Sequence, residues 1–169
     1  MSIKPTLCAL SLILGLTSEG LAEQLPVPTG DVLLTLSGAL THETADGVVT
    51  LDRALLEVME TVEFTTSTIW MEGEVTFTGV PLRDVLDYAG AQGQEISAVA
   101  LNDYKIEIPL SEIEEDTPII AYLMNGEPMS RRNKGPLWIV YNYDSDAKYR
   151  SEVIYSRSIW QLDRIVSNN

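Results

Sequence analysis

Arg131, Arg132 and Lys134 fall within four positions, just before Gly135-Pro136, in a chain whose formal charge is -14. Arginine offers a planar fork of donors, so such a cluster can hold an anion or the carbonyl edge of a ring. An ordinary polar turn has the same composition. Two aromatic residues suit stacking on a planar ligand: Trp70, closing a Thr-rich segment, and Tyr104, just after Asn102-Asp103. Asn102 and Asp103 supply the paired donors and acceptors that the edge of a heterocycle needs. Arg157, before Ser158-Ile159-Trp160, is another cation for such a site, or one half of a surface ion pair. Trp138 and Trp160 lie in segments read as strands and are assigned to the core.

Other chemistry is missing. His42 is the only histidine, sits in a predicted loop, and cannot build a zinc site alone. The one cysteine, Cys8, lies in the N-terminal apolar run, so the remainder has no disulfide, thiolate ligand or cysteine nucleophile. With no cysteine in the remainder and one histidine, neither familiar nucleophilic triad is easy to assemble. Asp144-Ser145-Asp146 lacks the glycine and the later glutamate of a calcium loop. Glu112, Glu114, Glu115 and Asp116 read as a solvated face. The acidic balance argues against nucleic acid, whose binding requires a basic face against phosphates. No enzyme chemistry is visible in these residues.

The elements that must carry the candidates follow from periodicity. Val32–Leu36 reads as a strand ending at Ser37-Gly38, and 41–47 as a polar loop. Thr50 is expected to cap a short helix with Leu51, Ala54, Leu55, Val58 and Met59 on its apolar face. Residues 61–70 and 74–77 read as extended. Pro81 opens a second helix with Leu82, Val85, Leu86 and Ala89 inward and Gly90 as its stop. Ile96–Leu101 and Tyr104–Leu110 form a hairpin around Asn102-Asp103. Ser111-Glu112-Ile113-Glu114 fits a capping box for one turn. Pro118–Met124, Pro136–Tyr141 and a final stretch near Glu152–Val166 read as strands. The expectation is an α+β domain with a mixed sheet and short helices.

The N-terminus reads as a cleavable export signal: Lys4, an apolar run from Leu7 to Leu16, and small residues at Gly20-Leu21-Ala22. Cleavage is expected after Ala22, leaving residues 23–169 as one domain. The run is too short to span a bilayer, which needs roughly 20 apolar residues.

An ordered series of segments then resembles the molybdopterin-binding domain of the sulfite oxidase family. The segments are Phe77-Thr78-Gly79-Val80-Pro81-Leu82-Arg83-Asp84-Val85-Leu86, Tyr104-Lys105-Ile106-Glu107-Ile108-Pro109 and Ala121-Tyr122-Leu123-Met124-Asn125-Gly126-Glu127-Pro128. Lys134 to Tyr141 and Ser158 to Ile165 continue the series. Asn142, in Tyr141-Asn142-Tyr143, stands where the resemblance leads us to expect proline. The resemblance implies the sulfite-oxidase fold with a pterin pocket. In the enzymes a cysteine in the segment before Trp70 binds molybdenum. Here that segment is Phe64-Thr65-Thr66-Ser67-Thr68-Ile69, and a hydroxyl is a poor substitute for a soft thiolate. Such enzymes also leave the cytoplasm folded, behind a twin-arginine signal; this leader has Lys4 alone.

The sequence is closer to small periplasmic relatives that keep the fold, lack the metal ligand and bind free reduced pterins. The resemblance to that group implies control of a membrane-bound enzyme that makes or degrades cyclic-di-GMP, through the periplasmic part of that partner. It thereby implies a role in the switch between motile and attached, biofilm growth. Trp70, Asn102, Asp103, Tyr104, Arg131, Arg132, Lys134 and Arg157 are the expected pterin contacts. The ligand expected is a reduced pterin rather than the molybdenum cofactor. Two other readings stay open: a molybdopterin-dependent oxidoreductase, and a structural partner-binding domain with an empty pocket.

Overall fold

The computed structural model describes residues 25–42 and 46–168. The expected leader, including Cys8, lies outside the described residues, as do positions 43–45 of the polar loop. Among the described residues no helix is long and apolar enough to cross a membrane.

Two five-stranded sheets carry the chain. The first runs in the order β2 (Val49–Leu51), β1 (Leu34–Gly38), β10 (Leu162–Asn168), β5 (Glu95–Ala100) and β6 (Lys105–Pro109). Only β1 and β10 are parallel, so this sheet is mixed. The second is antiparallel: β3 (Val62–Thr68), β4 (Met71–Pro81), β7 (Ile119–Met124) and β8 (Glu127–Pro128), with β9 (Trp138–Val140) also paired to β7. A single apolar cluster joins them, taking Leu34, Leu36, Ile96 and Ile165 from the first sheet and Phe77, Ile119, Ile120 and Trp138 from the second. With short helices α1 (Arg53–Glu57), α2 (Leu82–Tyr88) and α3 (Glu152–Arg157), the fold is α+β, as the periodicity indicates.

Several local expectations hold. In α2 the inward positions Leu82, Val85 and Leu86 are fully or almost fully buried, and Gly90 ends the helix at φ +62°. β5 and β6 form the expected hairpin, with Asp103 at φ +65° in its turn.

Three differ. Thr50 does not cap α1. Its β-branched side chain belongs to β2, where it pairs with Thr35, and the helix starts at Asp52 instead. The Asp52 carboxylate accepts hydrogen bonds from Leu55 N at 2.9 Å and from Thr29 N and Gly30 N, both at 2.8 Å. Ser111 does not cap its turn either: the turn is a 3-10 turn, Leu110–Glu112, entered from Pro109 without a side-chain cap. The final strand begins only at Leu162. Residues 152–157 are helical because Ser151 Oγ accepts from Ile154 N, although Val153, Ile154 and Tyr155 individually favour strands.

Candidate functional site

The Trp70 side chain leaves the short turn joining β3 to β4 and enters an aromatic cluster. Its ring lies edge-on to Trp138, Tyr143, Tyr155 and Trp160, with centroids 5.6–6.1 Å apart. Trp138 is completely buried and its indole N–H donates to Ser158 O at 3.0 Å. The Tyr143 hydroxyl donates to Ser158 Oγ at 2.7 Å, and burial pushes that phenol far above its ordinary pKa. The floor of the site is thus a locked set of rings, and each buried polar atom named here is hydrogen-bonded.

A cleft of about 290 Å³ opens against this cluster. Trp70, Ala100, Asn102, Tyr104, Tyr155, Ser156, Ser158, Ile159 and Trp160 line it. Asn102 Oδ1 accepts from Tyr104 N at 3.2 Å, shaping the β5–β6 turn and leaving the amide nitrogen without a protein partner among the described residues. Ser158 Oγ is already used twice, accepting from Tyr143 and donating to Ile154 O at 2.8 Å. The cleft therefore offers flat apolar walls and few polar groups, the composition expected of a small-molecule site. Its size suits a bicyclic ring.

The structure gathers some of the predicted residues and separates others. Trp70, Asn102 and Tyr104 line one cleft. Asp103 is beside it, but its carboxylate pairs with Arg164. Lys134 takes a left-handed conformation at φ +66° and holds its ammonium 3.9 Å from the centre of the Trp160 ring and 5.4 Å from that of Trp138. Burial there lowers the pKa of Lys134. Arg131 and Arg132 form an exposed 3-10 turn, Arg131–Asn133, and do not line the cleft.

Arg157 lies elsewhere. It is only 8% exposed, bonds Glu112 at 2.6 Å, and lines a separate cleft with Val153 and Ile154, while Tyr155 and Ser156 of the same helix line the first. Its ion-pair role is the one the structure displays. Trp160 corrects the sequence reading in the other direction. It is not core but 38% exposed, and it forms one wall of the cleft.

The segment expected to hold a metal ligand is closed on itself. Thr66, fully buried, donates through Oγ1 to Asp144 Oδ2 at 3.2 Å and accepts from Asp144 N at 3.1 Å. Ser67 donates its N–H to the same carboxylate and its Oγ–H to Asp144 Oδ1 at 2.9 Å. These donors hold the Asp144 carboxyl below its usual pKa. The group is made entirely of hard oxygen donors that already serve one another, which does not fit protein ligation of molybdenum through a thiolate. Among the described residues no cluster of His, Cys, Asp or Glu is arranged to hold a metal.

The flat, aromatic cleft, by contrast, fits the pterin portion of a molybdopterin. Among curated proteins, none matches this chain. The profile of the oxidoreductase molybdopterin binding domain matches residues 46–143, which takes in Trp70, Asn102, Tyr104 and the basic turn and stops before α3. More than half of the sequence is covered, and the chain belongs to the oxidoreductase molybdopterin binding domain family, whose cofactor is a pterin-type ligand.

Proposed function

We propose that this protein is a periplasmic pterin-binding sensor, and that it regulates a membrane-bound enzyme that makes or degrades cyclic-di-GMP. The observation that carries the ligand class is the pairing of an aromatic cleft with a hydroxyl-and-carboxylate network where a thiolate would be needed. A reduced pterin is flat and electron-rich. It stacks well on an indole such as Trp160, whose ring already faces the Lys134 ammonium. The free amide of Asn102 and the hydroxyls of Ser156 and Tyr155 suit its carbonyl and amino edges. The export leader supports the compartment, and the resemblance to small periplasmic relatives supports the class of partner.

Anaerobic titration with tetrahydrobiopterin tests the ligand. Saturable binding to the wild-type protein, weakened at least about tenfold in Trp160→Ala, equivalent to about 1.4 kcal/mol, is the expected result. An absence of binding by the folded wild-type protein would defeat the reading. Family membership favours one second reading, a molybdopterin-dependent oxidoreductase. It requires molybdenum in the isolated protein.

A further inference from the structure

We propose that the rim of the cleft is a docking surface for a partner protein, and that the segment it receives is acidic with apolar flanks. The first observation is where the free positive charge lies. Among the described residues, Arg53, Lys105, Lys148, Arg150, Arg157 and Arg164 all pair with carboxylates, and Arg83 is bonded to the carbonyls of Leu110 and Ile113. Among the described residues only Arg131, Arg132 and Lys134 have neither a carboxylate nor a carbonyl answering their charge, and they share one turn of a chain with formal charge -14. Left unpaired amid so many available carboxylates, this turn presents a concentrated positive site to an external anion.

The second observation is what surrounds that turn. Gln161, at φ +54°, ties it to the cleft: its N–H donates to Lys134 O at 2.9 Å, its side-chain amide donates to Arg131 O, and its carbonyl accepts from Leu101 N at 3.0 Å. Leu101 and Trp160 are each 38% exposed, and Tyr104 and Ile69 are 52% and 61% exposed. The basic turn therefore adjoins the cleft, through Lys134 over the Trp160 ring and through Gln161 to Leu101, which lies between the lining residues Ala100 and Asn102. Tryptophan, tyrosine and arginine are the residues that dominate the centres of protein interfaces. A contiguous apolar patch with a charged border marks an interaction site.

A second copy of this chain is a poor occupant, since two bodies of such negative charge repel. The fit is to carboxylates on a different protein. A partner seated on this rim also covers the cleft mouth, so a ligand within would be enclosed between the two proteins. The proposal rests on the pterin reading for what the cleft holds, and on the surface alone for where the partner sits.

The test places a photo-cross-linking amino acid at Leu101, or at Val58 as an exposed site outside the rim, in the full-length protein within its native envelope. The expected result is an adduct from position 101 and not from 58, on a partner peptide containing Asp or Glu beside apolar residues. The double substitution R131E/R132E should lower that yield roughly tenfold, and changing the partner carboxylates to Lys should restore it. An adduct between two copies of this chain, an adduct with anionic phospholipid, a peptide without carboxylates, an undiminished yield or no adduct above the Val58 control would each overturn the proposal. Tetrahydrobiopterin affinity is measured in parallel on purified R131E/R132E protein and should stay within about twofold of wild type. If neither protein binds that pterin while adduct and charge exchange hold, the ligand reading fails and the docking surface stands.

Discussion

Trp70 both lines the cleft and packs into the aromatic cluster beneath it. Its edge-on contacts with four rings place it at the hub of the aromatic floor, whereas Trp160 forms a more exposed wall. Trp70→Ala should therefore cost about 3 kcal/mol of stability as well as at least about tenfold in pterin affinity. Trp160→Ala should lose comparable affinity at a smaller cost in stability. Denaturant unfolding and ligand titration of both variants check this, and equal destabilisation by the two would remove the distinction. The placement of Trp70 and Tyr104 at one cleft was readable from type and local sequence. Trp160 was not, because its exposure depends on a helix that its neighbours' strand preferences conceal. Arg157 misled in a different way: its charge is answered by Glu112, far away in sequence.

At the scale of elements, the Thr78-Gly79-Val80-Pro81-Leu82 motif has a mechanical reason. β4 crosses β7 with a register shift at Thr78/Gly79, and the two backbones meet so closely that a Cβ on Gly79 would stand 2.2 Å from Ile120 O and 2.6 Å from Ala121 Cα. Both obstacles are backbone, so no side chain can swing aside. Gly79→Ala should destabilise the protein by about 3 kcal/mol, near the upper end for overpacking, and thermal unfolding reads it directly. A variant with unchanged Tm would mean that the strands can separate without penalty. Helix α2 and the β5–β6 hairpin were legible because a local signal fixes each: Pro81 and Gly90 bracket one, and Asn102-Asp103 turns the other. The start of α1 was not legible. Asp52 outcompetes Thr50 through contacts with Thr29 and Gly30, more than twenty residues away.

For the whole molecule, the dominant fact is negative charge, and Glu107, Glu112 and Glu114 differ from Asp84 in how the fold treats it. Hydrogen bonds to partners, together with ionic attraction, hold Glu107, Glu112 and Glu114 below their ordinary pKa. The stability they contribute is fully present above the unfolded carboxylate range, near pH 4, and is lost as pH falls through their lower folded values. Asp84 is the opposite case. Desolvation comes first among its causes, followed by Glu60, Asp87, Asp116 and Glu115, and together they raise its pKa. Its charge therefore opposes folding above its folded pKa and ceases to do so once both states are protonated. Asp84→Asn should raise Tm at neutral pH, and the gain should disappear below about pH 4. A gain that persists at pH 3, or a loss at pH 7, would contradict this assignment of the strain.

The overall architecture and the ligand class were visible in ordered sequence segments, while the split between cleft and basic turn required the three-dimensional placement of Gln161. The most direct test of the account is analysis of protein isolated anaerobically from its native compartment, by fluorescence and mass measurement of released small molecules and by metal content. The account predicts a stoichiometric reduced pterin without molybdenum. Stoichiometric molybdenum would contradict it and make the cleft the seat of an oxidoreductase cofactor.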